Sequence, residues 1–521
     1  MPDRSHGFDD SSTGREAASI EDLIAAVGLE TGRPVKSSGS SDKAESTGRT
    51  PAGVAQPWIS PRSLAAEMEL AADSSPVEAG DGAGLAADDS GPWEGVPAVP
   101  TTIEATGLPE AFLRELILKV IWANDRPSLT TVSNVTGLNM RVVEEVVRGL
   151  DREGLCRTDG ATGQNNLNFH YRLTEQGKNA AHEALNRSRY IGVAPVPVNA
   201  YRELIRQQLA QFRRPPFEEI RKALEHLVLP PKLIRMIAQA FFSRRTLMVY
   251  GPSGNGKTEI VTSIARTAVG KVIIPYAIYG QGQLIRVFDP EFHRSRVALD
   301  ATTEGPWAPA ALRHDRRWLP IDRPVVVVGG DMGAEALEMT YDPTLGIHHA
   351  PLSVVAQGGV LVIDDLGRQR VSPKEILNRW VLMMEQGSDT FSLSTSEVVR
   401  LPLDVTLIFS TNLTVDELVD EAYMRRIAYK IAIPNPSRDD LAEVTRRFCT
   451  NQGIEWTEDA IQHLVDRLYV EGQPVPRGCY PRDIVTTIID EAEFEDRKPV
   501  FDKNSIDMSV GLYLGIETTG I

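Results

Sequence analysis

Gly251-Pro252-Ser253-Gly254-Asn255-Gly256-Lys257-Thr258 sets the class of the whole chain. The apolar run Leu247-Met248-Val249-Tyr250 before it reads as a strand, and residues 259–266 after it read as a helix. A glycine-rich loop between strand and helix is a P-loop. Its glycines let the backbone fold tightly and turn several N–H groups onto one anion. Gly251, Pro252, Ser253, Gly254, Asn255 and Gly256 would cradle phosphates at the helix N-terminus. Lys257 would reach the β/γ-phosphates of ATP, and Thr258 would place its hydroxyl on Mg²⁺. The bare pattern arises by chance in roughly one chain in fifty of this length, and the strand and helix around it lower that further.

Two further apolar runs carry polar ends. Gly358-Gly359-Val360-Leu361-Val362-Ile363-Asp364-Asp365 is continuous enough for a strand buried on both faces. Carboxylates at its C-terminal end would face the phosphates, since open α/β sheets bind ligands at that edge. Asp364 is placed to hold Mg²⁺, and Asp365 to orient or deprotonate the attacking water. Val405 to Asn412 is a similar strand, whose Asn412 could bond the γ-phosphate or the water. The pair Arg425-Arg426 follows, permanently charged and shaped for bidentate phosphate contacts.

In this order and spacing, the P-loop, the Asp-Asp strand, the Ser-Thr-Asn strand and Ala-Tyr-Met-Arg-Arg resemble the AAA+ ATPases, with MoxR-like proteins the nearest in look. The resemblance covers roughly residues 217–500. It implies that Asn412 is sensor 1 and that Arg425 or Arg426 is a finger reaching a neighbouring subunit's nucleotide. Arg482, in Tyr480-Pro481-Arg482-Asp483, takes the place of sensor 2 in a helical lid. It also implies ATP hydrolysis with Mg²⁺ in a homo-oligomer, a hexamer or a helical array. The chain departs from the family at Asp365, where glutamate is usual. Asp-Asp-Leu-Gly is also the pattern of helicase loaders and replication initiators. Residues 280–350 read as an insertion with an extra hairpin. Tyr279, on Tyr279-Gly280, sits where threading AAA+ machines carry a pore aromatic, though a tyrosine closing a strand is the plainer reading.

The expected fold class is therefore α/β: a P-loop AAA+ parallel sheet between helices, with a C-terminal helical lid. The 521-residue chain exceeds what one core supports. Residues 1–105 hold little aromatic surface and predict a disordered acidic tail. Its first 100 residues carry 17 acidic and 7 basic side chains, so −10 of the total −16. Two short stretches there, 19–28 and 61–70, have amphipathic spacing. Residues 106–190 read helix–helix–helix–hairpin–helix and resemble bacterial winged-helix modules. Residues 191–216 form a linker and helix, 217–435 the nucleotide-binding domain, and 436–521 the lid and tail.

The winged helix could bind DNA through its third helix. Glu144 and Glu145 share the surface with Arg141, Arg148 and Arg152, and the hairpin tip has no cation. Phosphate neutralisation is thin, which favours a protein client over DNA. Three distant cysteines make no metal or disulfide pattern. No apolar run approaches the roughly 20 residues that span a bilayer, so the expectation is a cytoplasmic protein without membrane insertion. The readings carried forward are a remodeller of protein assemblies, a DNA-associated loader or regulator, and a slow ATP-binding switch or scaffold.

Overall fold

A computed structural model describes residues 94–161, 169–210, 213–296, 313–414, 424–470 and 475–515. The amphipathic stretches at 19–28 and 61–70 and the hairpin tip at 162–168 lie outside them. At the centre is a five-stranded sheet in the order Tyr429–Ala432, Leu247–Tyr250, Thr406–Thr411, Val360–Ile363, Val325–Val328. Every pairing in it is parallel. The apolar runs alternate between two covered faces. Leu247, Val249, Val360, Val362 and Ile408 meet the helices Phe217–Ala223, Pro231–Phe242 and Lys257–Ala265. Met248, Leu361, Ile363, Leu407 and Phe409 face the other way, onto a core with Tyr201, Trp380 and Phe391. Burial on both sides is why these strands read as unbroken hydrophobic runs.

The sheet corrects the reading of residues 280–350. Val325–Val328 is not part of an inserted hairpin. It is the edge strand of the parallel sheet, paired with Val360–Ile363. Lys271–Pro275, which follows the P-loop helix and reads as the next strand, pairs antiparallel with Trp318–Asp322 outside that sheet. The insertion holds two hairpins, Ala277–Gly280 with Gln283–Arg286 and Thr340–Asp342 with Ile347–His349, which join Val196–Pro197 in a second sheet. Tyr279 lies in it, its ring 4.7 Å from that of Phe112, so here it is a packing residue closing a strand. The helical stretch 217–242 is broken at 224–230, where Pro230 and Pro231 start a new helix.

Residues 106–190 form helices Glu110–Ala123, Leu129–Thr136 and Met140–Arg152, the hairpin Cys156–Ala161 with Phe169–Leu173, and helix Glu175–Arg187. They share their own core, from Leu113 and Ile117 to Val146 and Leu150. The described structure includes residues before position 106. Residues 96–99 run beside 313–315, with Val99 N–H on the Arg313 carbonyl at 3.1 Å and Asp315 N–H on that of Pro97 at 2.8 Å. Val96 is buried among apolar side chains of the central core, so its burial offsets ordering that composition alone did not predict.

One guanidinium brackets this module. Arg317 bonds the carbonyls of Thr106 (2.9 Å) and Pro195 (3.3 Å), just before and just after it, and pairs with Asp315 at 2.8 Å. Both charges are nearly fully buried, at 4% and 3% exposure. Breaking such a pair strands the remaining charge and costs about 3–5 kcal/mol. Arg317→Ala is therefore expected to lower the melting temperature and to open 106 and 195 to limited proteolysis. An unchanged melt and cleavage pattern would show that the module is held by other contacts.

The C-terminal region is helical as expected. Arg438–Asn451, Glu458–Leu468, Tyr480–Phe494 and Lys503–Leu514 pack around Leu441, Ile461, Leu464, Ile484 and Ile506. Ser437 opens it with a capping box to Asp440. No helix among the described residues is long and apolar enough to cross a membrane.

Candidate nucleotide site

Strand register brings the polar ends together. Ile363 pairs with Phe409, and Thr411 with Tyr250. The residues after each strand therefore emerge along one edge, beside the loop that leaves Tyr250. Gly251 and Gly254 make that loop possible, at φ +140° and +83°. A Cβ on Gly251 would also lie 2.3 Å from the Ile433 carbonyl oxygen, so no other residue fits there.

Lys257 opens the helix and is 5% exposed. Its ammonium donates to the carbonyls of Gly251 (2.9 Å) and Pro252 (2.8 Å). Burial pushes its pKa below the usual lysine range, and Asp365 and Asp364 pull it back up. Thr258 donates its hydroxyl to both Asp364 oxygens, at 3.0 and 2.8 Å. Ser410, one strand over, also donates to Asp364. This donor set is oxygen only and suits Mg²⁺. Among the described residues no cluster of three His, Cys, Asp or Glu could hold a metal unaided. Thr258 and Asp364 would supply two ligands, leaving phosphate and water to complete the shell.

Asp365 sits at φ +51°, a left-handed conformation that costs a non-glycine residue of order 1–3 kcal/mol. Its N–H donates to Ser410 Oγ at 3.1 Å, and its carboxylate accepts from Asn412 Nδ2 at 2.7 Å. Arg368 pairs with the other oxygen at 3.3 Å. Gln369 Nε2 donates to the Asp364 carbonyl at 2.8 Å and fixes the turn. The structure thus joins Thr258, Asp364, Ser410, Asp365 and Asn412 in one hydrogen-bonded group, with Lys257 beside Thr258 at the start of the helix. Sequence reasoning missed Ser410 as the side chain between the two acids. Its signal was a hydroxyl at the penultimate position of a buried strand. It also left Arg368 unassigned.

Three sequence-read arginines stand apart from this group. Arg425 and Arg426 precede Tyr429–Ala432, at the amino-terminal end of the edge strand, whereas the P-loop opens at the carboxyl ends. Arg426 pairs with Glu385 at 2.6 Å. Arg482 is turned onto its neighbour Asp483 at 2.9 Å, with 63% of its side chain exposed. The lid residues that touch the P-loop come earlier, at 477–479.

A family model described as a domain of unknown function, DUF8689, matches residues 437–511. No curated protein matches the chain. Among solved structures, NtrX from Brucella abortus is similar at 15% identity and a TM-score of 0.35, covering 65% of this chain and 67% of that one. The same protein in complex with ADP aligns at 14% and 0.33, over 65% and 66%. The Thermotoga maritima RuvB P216G mutant aligns at 14% and 0.32, over 59% and 73%. The chain spans about two thirds of the length of those NtrX chains. These scores lie below 0.5, and the fold assignment stands on strand order and loop geometry.

Proposed function

We propose that this chain is an AAA+-type ATPase that hydrolyses ATP at the contact between neighbouring copies and uses the motion to remodel a protein assembly. The observation that carries the reading is the convergence of Lys257, Thr258, Asp364, Asp365 and Asn412 at one sheet edge. Lys257 exchanges its two loop carbonyls for phosphate oxygens, a charge-assisted and stronger partner. Thr258 and Asp364 would hold Mg²⁺, which when bound would supply charge neutralisation to the phosphates. Asn412 and Asp365 position a water in line with the γ-phosphorus. Its oxygen bonds to phosphorus as the bond to the bridging oxygen breaks, and Asp365 takes the proton. Arg425 or Arg426, remote from its own P-loop, serves the neighbouring copy's transition state. Arg482 is the lid arginine that the AAA+ resemblance assigns to the nucleotide.

The N-terminal module, read as a winged helix, is favoured as a protein-contact element over a DNA reader. Arg148 on its third helix is tied to Glu144 at 2.6 Å, which leaves less cationic surface for phosphates. Phosphate release from Mg–ATP, measured with and without duplex DNA across a salt series, tests the reading. Hydrolysis that rises with protein concentration and ignores DNA is expected. Turnover that requires DNA, with salt-steep binding, would move the protein to the loader or regulator class. Absence of nucleotide binding would remove the ATPase reading.

A further inference from the structure

The segment 475–479, which leads into helix Tyr480–Phe494, lies on the P-loop. Gly478 donates its amide to Asn255 Oδ1 at 2.9 Å. Asn255 Nδ2 in turn donates to Asn435 Oδ1 (2.9 Å) and the Pro434 carbonyl (3.2 Å). One P-loop side chain therefore ties the loop to the point where the chain leaves the sheet and to the point where it returns from the helical domain. A Cβ on Gly254 would lie 2.7 Å from Cys479 Sγ and 3.5 Å from Cβ and Cδ of Arg477. The Arg477 side chain thus runs along the loop itself.

Lys257 opens the helix that follows the same loop. Arg368 has Asp365 as a counter-ion. Among the described residues no carboxylate pairs with Arg477. Cations beside a loop built for anions repel one another, and a bound anion reverses the sign of the interaction. A guanidinium also suits phosphate oxygens geometrically.

We propose that Arg477 is a ligand of the nucleotide's terminal phosphates within its own subunit, and that Asn255 holds it in place. This rests on the nucleotide reading above and adds to it a second lid arginine, five positions before Arg482. It also supplies a short route by which the charge state of the nucleotide acts on the helical domain. Phosphate draws Arg477, and the Gly478–Asn255 bond carries that pull to the start of helix Tyr480–Phe494.

The test is titration of the full chain, with Mg²⁺, by a fluorescent non-hydrolysable ATP analogue and by fluorescent ADP. Arg477→Ala is expected to weaken the triphosphate about tenfold or more and the diphosphate less. Arg477→Lys recovers part of the loss. Arg497→Ala removes a charge elsewhere on the same domain and binds as the native chain does. Asn255→Ala weakens the triphosphate too, and the double variant loses less than the two separate losses together. Thermal melts confirm that each variant is folded. Unchanged triphosphate affinity in Arg477→Ala, while Lys257→Ala abolishes binding, overturns this inference alone. So does a loss confined to Arg482→Ala. A native chain that binds neither nucleotide overturns the reading of the site itself.

Discussion

Lys257→Ala should abolish nucleotide binding and leave the fold intact. The ammonium is 5% exposed and bonds two carbonyls of its own loop. It bears a desolvation cost that a single point charge aimed at phosphate would justify. Its contacts to the β/γ-phosphates would be charge-assisted and of roughly twice the strength of neutral ones. Losing them should weaken Mg–ATP by at least about a hundredfold, about 3 kcal/mol or more, which leaves no binding measurable at ordinary concentrations. Deletion also removes a buried charge, so the melting temperature should hold or rise. Calorimetric titration and a thermal melt on the same sample check both halves. A folded variant that keeps native affinity for ATP would show that the loop binds something else.

Asp365→Asn is expected to keep ATP bound and to slow its hydrolysis about 10²–10³-fold, the scale of a lost general base. Asn412 and Arg368 now hold the Asp365 carboxylate, at 2.7 and 3.3 Å. The asparagine carboxamide can still accept from Asn412, so the turn at φ +51° keeps a partner. It cannot take a proton from water. Single-turnover hydrolysis separates the two effects. This variant also distinguishes an engine from a switch. If the native rate already matches that of Asp365→Asn, the two contacts on Asp365 keep it from acting as a base. The protein would then be an ATP-dependent scaffold. The native turnover should instead exceed the variant's clearly, and the variant should retain protein clients in affinity capture with ATP.

The parts of the site legible in the sequence were those in which a chemical residue ends a continuous apolar run. Asp364 follows Val360–Ile363, and Asn412 follows Thr406–Thr411. In a parallel sheet buried on both faces, the ends of such runs fall on one edge, so order along the chain was enough to group them. Val325–Val328 reads as a buried strand by length, but it was left in the insertion and not placed in that sheet because Gly329, not a carboxylate or amide, follows it. Its partner, Val360–Ile363, lies beyond an intervening hairpin, Thr340–Asp342 with Ile347–His349. Pairing over that distance is a tertiary fact with no local mark. The same holds for Arg477. Nothing in Val475-Pro476-Arg477-Gly478 announces a phosphate contact. Only the folding of the helical domain onto Asn255 and Gly254 puts it there. The packing of residues 96–99 was illegible for a related reason. A short strap with one buried valine is too small for composition to see, yet it fits a groove that the rest of the chain supplies.

Two copies completing one site is the central claim, and mixing inactive subunits tests it most directly. Lys257→Ala lacks a working loop but keeps its arginines, while a chain with both Arg425→Ala and Arg426→Ala keeps its loop but lacks the finger. Each should be inactive alone. Mixed in equal amounts, they should recover phosphate release at about a quarter of the native sites, where an intact loop meets an intact arginine pair. No recovery in the mixture, or native activity from the arginine variant by itself, would contradict a shared site.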